Sequence, residues 1–147
     1  IYSMYSDISG NDSMNKSIES YKYALKLDPY NIFFYNDLGT TYLRKGDIDN
    51  AIDCYRRSLE IFKGPATYNM LGRALSEKGN LKEGEECLKK SIELDSNSGN
   101  PYFNLALLYI KKGKKEEVFK YLDRAFYLDP QNSVIGRAWL ESVNSEQ

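Results

Sequence analysis

The chain has 147 residues, 20 basic and 21 acidic, for a net charge of −1, and it contains no histidine. Balanced charge removes the long-range field that draws a protein to nucleic acid or an anionic membrane. The missing histidine removes the commonest general base and metal ligand, and with it any Ser-His or Cys-His nucleophile pair. A composition that is 41% hydrophobic and 28% charged suits a folded domain rather than a disordered tail. Tyrosine and phenylalanine are abundant, so the fold calls repeatedly for flat side chains. No apolar run is long enough to span a bilayer, and no signal peptide is visible. The chain opens at Ile1 rather than Met, which reads as a piece of a longer protein.

In chain order, apolar spacing predicts a damaged first helix near residues 1–8 and a turn at Gly10–Ser13. Helices are then expected over Met14–Leu27, Asn31–Lys45, Ile48–Phe62, Pro65–Lys78, Leu81–Leu94, Asn100–Lys112, Lys115–Leu128 and Ser133–Val143. In the second of these, Phe34, Tyr35, Leu38, Tyr42 and Leu43 recur at helical spacing. Gly46 can then take the left-handed conformation that ends a helix, and Asp47 can cap the next. That next helix carries Ala51, Ile52, Tyr55, Leu59 and Phe62 along one stripe.

The pattern repeats. Gly46, Gly79 and Gly113 stand 33 and 34 residues apart. Seven residues before each comes a small residue, Gly39, Gly72 or Ala106, preceded by Leu38, Leu71 or Leu105. Tyr35, Tyr68 and Tyr102 stand three residues before those leucines. Leu27, Ile61, Leu94 and Leu128 keep the same period. A period of this length marks a stacked array of supersecondary units. Each unit reads as two antiparallel helices, with Gly39, Gly72 and Ala106 expected to face Ala51, Gly84 and Val118. Glycine inside a helix costs roughly 0.5–1 kcal/mol relative to alanine, so its repeated use implies that close packing recovers the loss.

Tyr35-x2-Leu38-Gly39-x2-Tyr42 with Ala51-x3-Tyr55 and Ser58 resembles the tetratricopeptide repeat pattern W-x2-L-G-x2-Y, A-x3-F, P. The next unit gives Tyr68-x2-Leu71-Gly72-x2-Leu75, Gly84-x3-Leu88 and Ser91. The third gives Tyr102-x2-Leu105-Ala106-x2-Tyr109, Val118-x3-Leu122, Ala125 and Pro130. A half-preserved unit with Ser17, Tyr21, Ala24 and Pro29 precedes them. The resemblance implies an all-α fold, a right-handed superhelical solenoid of antiparallel helix pairs with a C-terminal capping helix. It implies one domain over 1–147: a partial repeat at 1–31, repeats at 32–64, 65–98 and 99–132, and a capping helix and tail at 133–147. Three departures stand out. Gly84 and Val118 replace the usual alanine. The unit at Gly64-Pro65 starts one residue early, so the turn after Phe62 is expected to be irregular. Tyr5 falls where a small residue is wanted.

The resemblance also implies a concave groove lined by the first helix of each pair. The corresponding residues are Phe33, Asn36, Thr40, Leu43 and Arg44; Ala66, Asn69, Arg73, Ser76 and Glu77; and Asn100, Phe103, Leu107, Ile110 and Lys111. Amides there can pair with a peptide backbone, Arg44, Arg73 and Lys111 with carboxylates, and Phe33, Phe103 and Leu107 with an apolar anchor. Where some family members clamp a chaperone's C-terminal carboxylate, this chain has Asn36, Thr40, Met70, Asn100 and Asn104; the basic members are missing, so such binding is not expected.

Other features read as structure. The run Lys111-Lys112-Gly113-Lys114-Lys115 falls on a helical turn and reads as solvated. Glu83, Glu85 and Glu86 point different ways on a helix and also read as a solvated surface. Cys54 and Cys87 hold equivalent places in stacked units, about 10 Å or more apart and beyond disulfide reach, so two free thiols and a cytoplasmic location are expected. Trp139 reads as part of the terminal cap. The function expected is a non-enzymatic scaffold that binds a partner peptide or helix, without cofactor, metal, nucleic acid or membrane insertion. The alternatives are a docking or regulatory segment of a larger enzyme or secretion assembly, and a scaffold that self-associates through its first helix.

Overall fold

A computed structural model describes residues 2–145, with side chains from residue 9 onward. Among the described residues there are eight α-helices and no strand. They are α1 (Tyr2–Leu27), α2 (Ile32–Lys45), α3 (Ile48–Ile61), α4 (Pro65–Lys78), α5 (Leu81–Leu94), α6 (Gly99–Lys112), α7 (Lys115–Leu128) and α8 (Ser133–Asn144). The chain divides into two compact units, Ile1–Lys63 and Gly64–Gln147.

In the first unit α2 and α3 form a pair, and α1 packs on α2. Gly46 ends α2 in the left-handed region at φ 87°, its N–H donating to the Leu43 carbonyl, while the Asp47 N–H reaches back to Tyr42. These bonds satisfy the carbonyls that a helix end leaves orphaned, and only glycine adopts this conformation without a Cβ penalty. The Asp47 carboxylate then accepts the Asn50 N–H and caps α3. Asn31 caps α2 in the same manner, accepting from Phe33 and Phe34. Leu38, Ala51, Ile52 and Tyr55 are buried between α2 and α3, and Ile18 of α1 is buried too.

Gly39 lies against the Tyr55 side chain of α3. A β-carbon placed on it would lie 2.7 Å from Cε1 of the Tyr55 ring. That ring is fully buried and its hydroxyl shares a hydrogen bond with Thr40, so it has nowhere to go. The tyrosine four residues after Ala51 therefore lies across the glycine.

The start of the chain also differs from expectation. Instead of a break at Gly10–Ser13, α1 runs unbroken from Tyr2 to Leu27. Glycine, asparagine, aspartate and serine together read as a turn, but Gly10 keeps a negative φ and nothing crowds its position. An Asp12–Lys16 ion pair and the Ser17 hydroxyl bond to the Ser13 carbonyl follow the helical register instead. The expectation for the Tyr5 side chain lies outside the described residues.

The second unit holds two full pairs, α4 with α5 and α6 with α7, and α8 packs on α7. Gly72 and Gly84 do face each other. A Cβ on Gly72 would lie 2.7 Å from Leu88 Cγ and 3.0 Å from the Gly84 carbonyl oxygen; one on Gly84 would lie 3.0 Å from the Gly72 carbonyl oxygen. Leu88, Leu105, Leu108 and Tyr109 form the core, with Leu81, Ile92, Val118 and Tyr121 packed against it. Gly79 and Gly113 end α4 and α6 in the left-handed region, as Gly46 ends α2. Trp139 of α8 stacks on Phe126 at 4.9 Å and donates from Nε1 to Asp123.

The junction after α3 is the irregular one. Phe62, Lys63 and Gly64 separate α3 from α4, and Phe62 is extended, whereas the other units are joined by four residues. Pro65 starts α4 where its missing N–H costs nothing.

Two serines at equivalent positions differ in a way that can be measured. Ser91 donates to the Pro65 carbonyl at 2.8 Å, whereas the Ser58 hydroxyl is buried without a partner. Ser58→Ala is expected to leave stability unchanged or raise it by up to about 1 kcal/mol, and Ser91→Ala to cost about 1 kcal/mol. Urea unfolding of both variants checks the contrast, and equal losses contradict it. Gly39→Leu is expected to cost about 2–4 kcal/mol by overpacking, seen as a lowered Tm; an unchanged Tm contradicts the approach of α2 to Tyr55.

Candidate functional site

The residues expected to bind a partner fall into two sets, one in each unit. Phe33, Asn36, Thr40 and Arg44 share one face of α2, because steps of three and four residues return to the same side of a helix. Phe33 is 71% exposed, and Leu27 and Tyr30 nearby in sequence are exposed as well. The Thr40 hydroxyl is engaged with Tyr55, so it presents less polar character than its residue type suggests.

In the second unit Asn69, Arg73 and Glu77 lie on α4, and Asn100, Phe103, Leu107 and Lys111 on α6. These two helices touch directly. Asn104 donates from Nδ2 to Asn69 Oδ1 at 2.8 Å, and Lys111 donates from Nζ to the Ser76 carbonyl at 2.7 Å. Both links join residues 35 apart, which is the repeat period plus one step. Lys111 thus caps the exposed end of α4 rather than standing free. Ser76, expected in the groove, is buried. Arg73 bonds Glu77 through Nε at 3.0 Å across one helical turn, a surface pair that a competing carboxylate can displace. Between these polar groups lie half-buried Phe103 and exposed Leu107 and Ile110.

Glu85 is not a solvated acid as its neighbours in sequence suggested. It accepts from Lys89 on its own helix at 2.6 Å, and from the Tyr109 hydroxyl and the Lys112 ammonium of α6. Burial by itself would raise its pKa, but the bonds from Lys112, Lys89 and Tyr109 outweigh that and hold the carboxyl at about 2. Burial and then the bond to Glu85 push the Tyr109 phenol well above its ordinary value. The Glu85–Lys89 pair was visible as an i,i+4 spacing; the reach from α6 was not. Lys112 therefore leaves the solvated lysine run to which it was assigned.

Cys54 and Cys87 form no disulfide and are half-buried. Burial, followed by the charges of Asp53 and Asp47, pushes the Cys54 thiol up to about 11, which suits an inert packed sulfur better than a nucleophile. Among the described residues no group of three His, Cys, Asp or Glu residues is placed to hold a metal ion. Nor is any described helix long and apolar enough to cross a membrane.

Family models described as tetratricopeptide repeat match residues 32–64 and again residues 65–98 and 100–132. The chain belongs to the tetratricopeptide repeat family, whose fold is typically a non-catalytic scaffold for protein interaction. Among solved structures, the crystal structure of MamA is similar with a TM-score of 0.77 and 20% identity, over 92% of this chain and 80% of that one. A thermophilic tetratricopeptide protein of Thermus thermophilus gives a TM-score of 0.81 and 17% identity, over 90% and 74% of the two chains. The first such domain of Spaghetti, bound to an HSP90 peptide, gives 0.72 and 19%, over 78% and 94%. These likenesses concern the fold. Comparison with curated proteins gives no significant match.

The Glu85 cluster predicts a pH dependence. A glutamate titrates near 4.3 in an unfolded chain, so a folded value of about 2 adds stability above that pH and loses it as pH falls toward 2. Allowing for the water that still reaches the carboxyl, the contribution is on the order of 1–2 kcal/mol. Glu85→Gln is expected to lower the urea midpoint at neutral pH and to flatten its decline between pH 5 and pH 2, relative to the parent chain. Parallel curves for the two proteins contradict this.

Proposed function

We propose that the chain is a non-enzymatic interaction module whose first-helix faces hold a segment of a partner polypeptide. The observation that carries this is the α4–α6 face. Phe103, Leu107 and Ile110 supply apolar area there, framed by the amides of Asn69, Asn100 and Asn104 and by Arg73. Interfaces concentrate their binding energy in such an apolar centre with a polar rim. The amides suit a peptide backbone, because each both donates and accepts. On the first unit, Phe33 with Asn36 and Arg44 offers a similar mixture on α2.

The neighbour that holds an HSP90 peptide supports peptide binding by this fold. Its particular ligand is not proposed for this chain, where Asn36, Thr40, Met70, Asn100 and Asn104 stand in place of the carboxylate-clamping set. A partner with a mixed apolar and acidic segment suits the α4–α6 face better than a nucleic acid, because a chain of net charge −1 has no excess positive charge to set against a phosphate backbone. Chemistry is expected to reside in the partner or elsewhere in an assembly.

Peptides selected from a displayed library on the immobilised chain test the reading. Leu107→Ala combined with Arg73→Glu is expected to weaken the selected peptides about ten-fold or more while helicity is retained, and Arg57→Glu on α3 to leave them unchanged. Equal binding to the double variant and the parent would exclude the α4–α6 face.

A further inference from the structure

We infer that the α6–α7 surface around Arg124 is a second docking site, which takes an acidic side chain of a partner polypeptide set beside an aromatic one. Tyr102 of α6 and Lys120, Tyr121, Asp123, Arg124 and Tyr127 of α7 line an open cavity of about 460 Å³. This inference stands apart from the reading of the α4–α6 face. Asn100, Phe103, Leu107 and Lys111 point from a different side of α6 than Tyr102, since successive helical residues turn by about 100°.

The charges in the cavity are unequal. The Arg124 guanidinium lies 5.8 Å from the Tyr102 ring centre and 5.4 Å from that of Tyr127. Lys120 Nζ lies 5.5 Å from the centre of the Tyr121 ring. Among the described residues neither cation has a carboxylate partner. The one carboxylate in the lining, Asp123, already accepts from Trp139 Nε1 at 3.3 Å. Beside two rings and without a carboxylate of its own, the guanidinium has N–H groups to offer one, in the fork geometry that arginine provides and lysine does not.

The walls are set before any ligand arrives. Tyr121 stacks on Tyr109 with ring centres 5.3 Å apart and planes 5° from parallel, and Tyr109 is tied to Glu85. Tyr102 donates its hydroxyl to the Ser96 carbonyl at 3.4 Å. A preorganised site loses less entropy on binding. Tyr127, by contrast, is 74% exposed and leaves much of its ring for an incoming aromatic to cover. The openness of the cavity argues for part of a larger polypeptide over a free small molecule, because dedicated small-molecule sites bury about 70–90% of their ligand. Two cations without a basic track argue against a nucleic acid strand.

The test is an NMR titration of the isotope-labelled full chain with a capped pentapeptide of sequence Ser-Glu-Phe-Glu-Ser. Amide shifts are expected at Tyr102 and along Lys120–Tyr127. Affinity is expected to fall about ten-fold with Arg124→Gln, and similarly when both glutamates of the peptide are replaced by glutamine. Lys120→Gln gives an independent variant with a smaller loss, and Arg57→Gln on α3 is expected to change nothing. Three outcomes overturn the proposal: no shifts on α7, indifference to both Arg124→Gln and Lys120→Gln, or equal affinity for the glutamine peptide. Tighter binding of a thymidine decamer than of the peptide overturns it as well.

Discussion

Two backbones that approach closer than a β-carbon allows set the geometry of the α4–α5 pair. At Gly72 and Gly84 each glycine lies against the other's carbonyl oxygen, and no side chain can be inserted without moving a main chain. At Gly39 the same space is filled by the Tyr55 ring, buried and hydrogen-bonded to Thr40. Close approach brings the apolar stripes together, and the left-handed glycines at the turns let the chain reverse tightly enough to permit it. The cost of glycine within a helix is recovered as packing.

With the backbones this close, polar groups that fall inside need partners. Ser91 finds the Pro65 carbonyl, while its counterpart Ser58 has none. Glu85 is the larger case. One half-buried carboxylate takes hydrogen bonds from two lysines and a tyrosine, and through Tyr109 and Tyr121 it links α5, α6 and α7. Full satisfaction of such a network rigidifies the elements that it joins. Tyr121, which lines the cavity beside Arg124, is therefore anchored from within the second unit.

The same helices carry two kinds of surface. The α4–α6 face mixes apolar side chains with amides, which suits a peptide backbone and an apolar anchor. The α6–α7 surface sets cations over aromatic rings, which suits an acidic side chain. Neither resembles a catalytic constellation, in keeping with a family whose members typically serve as scaffolds.

Much of this was legible in the residues alone. The period, the helix pairs, the turn glycines, the cap at Asp47 and the short junction at Gly64-Pro65 all depend on neighbours a few residues away, and local spacing encodes them. So does the placement of the expected binding residues on first helices. Local composition misled at Gly10–Ser13, because turn-forming residues end a helix only where the backbone also gains by turning, and here the helical bonds continue. What only the tertiary structure decided lies between residues far apart in sequence. The Tyr55 ring lies against Gly39, Ser76 is buried, Asn104 reaches Asn69, and Glu85 gathers Lys112 and Tyr109. Sequence periodicity names the face on which a side chain stands. The length of that side chain, and the few ångströms by which one helix slides along another, choose the partner it meets.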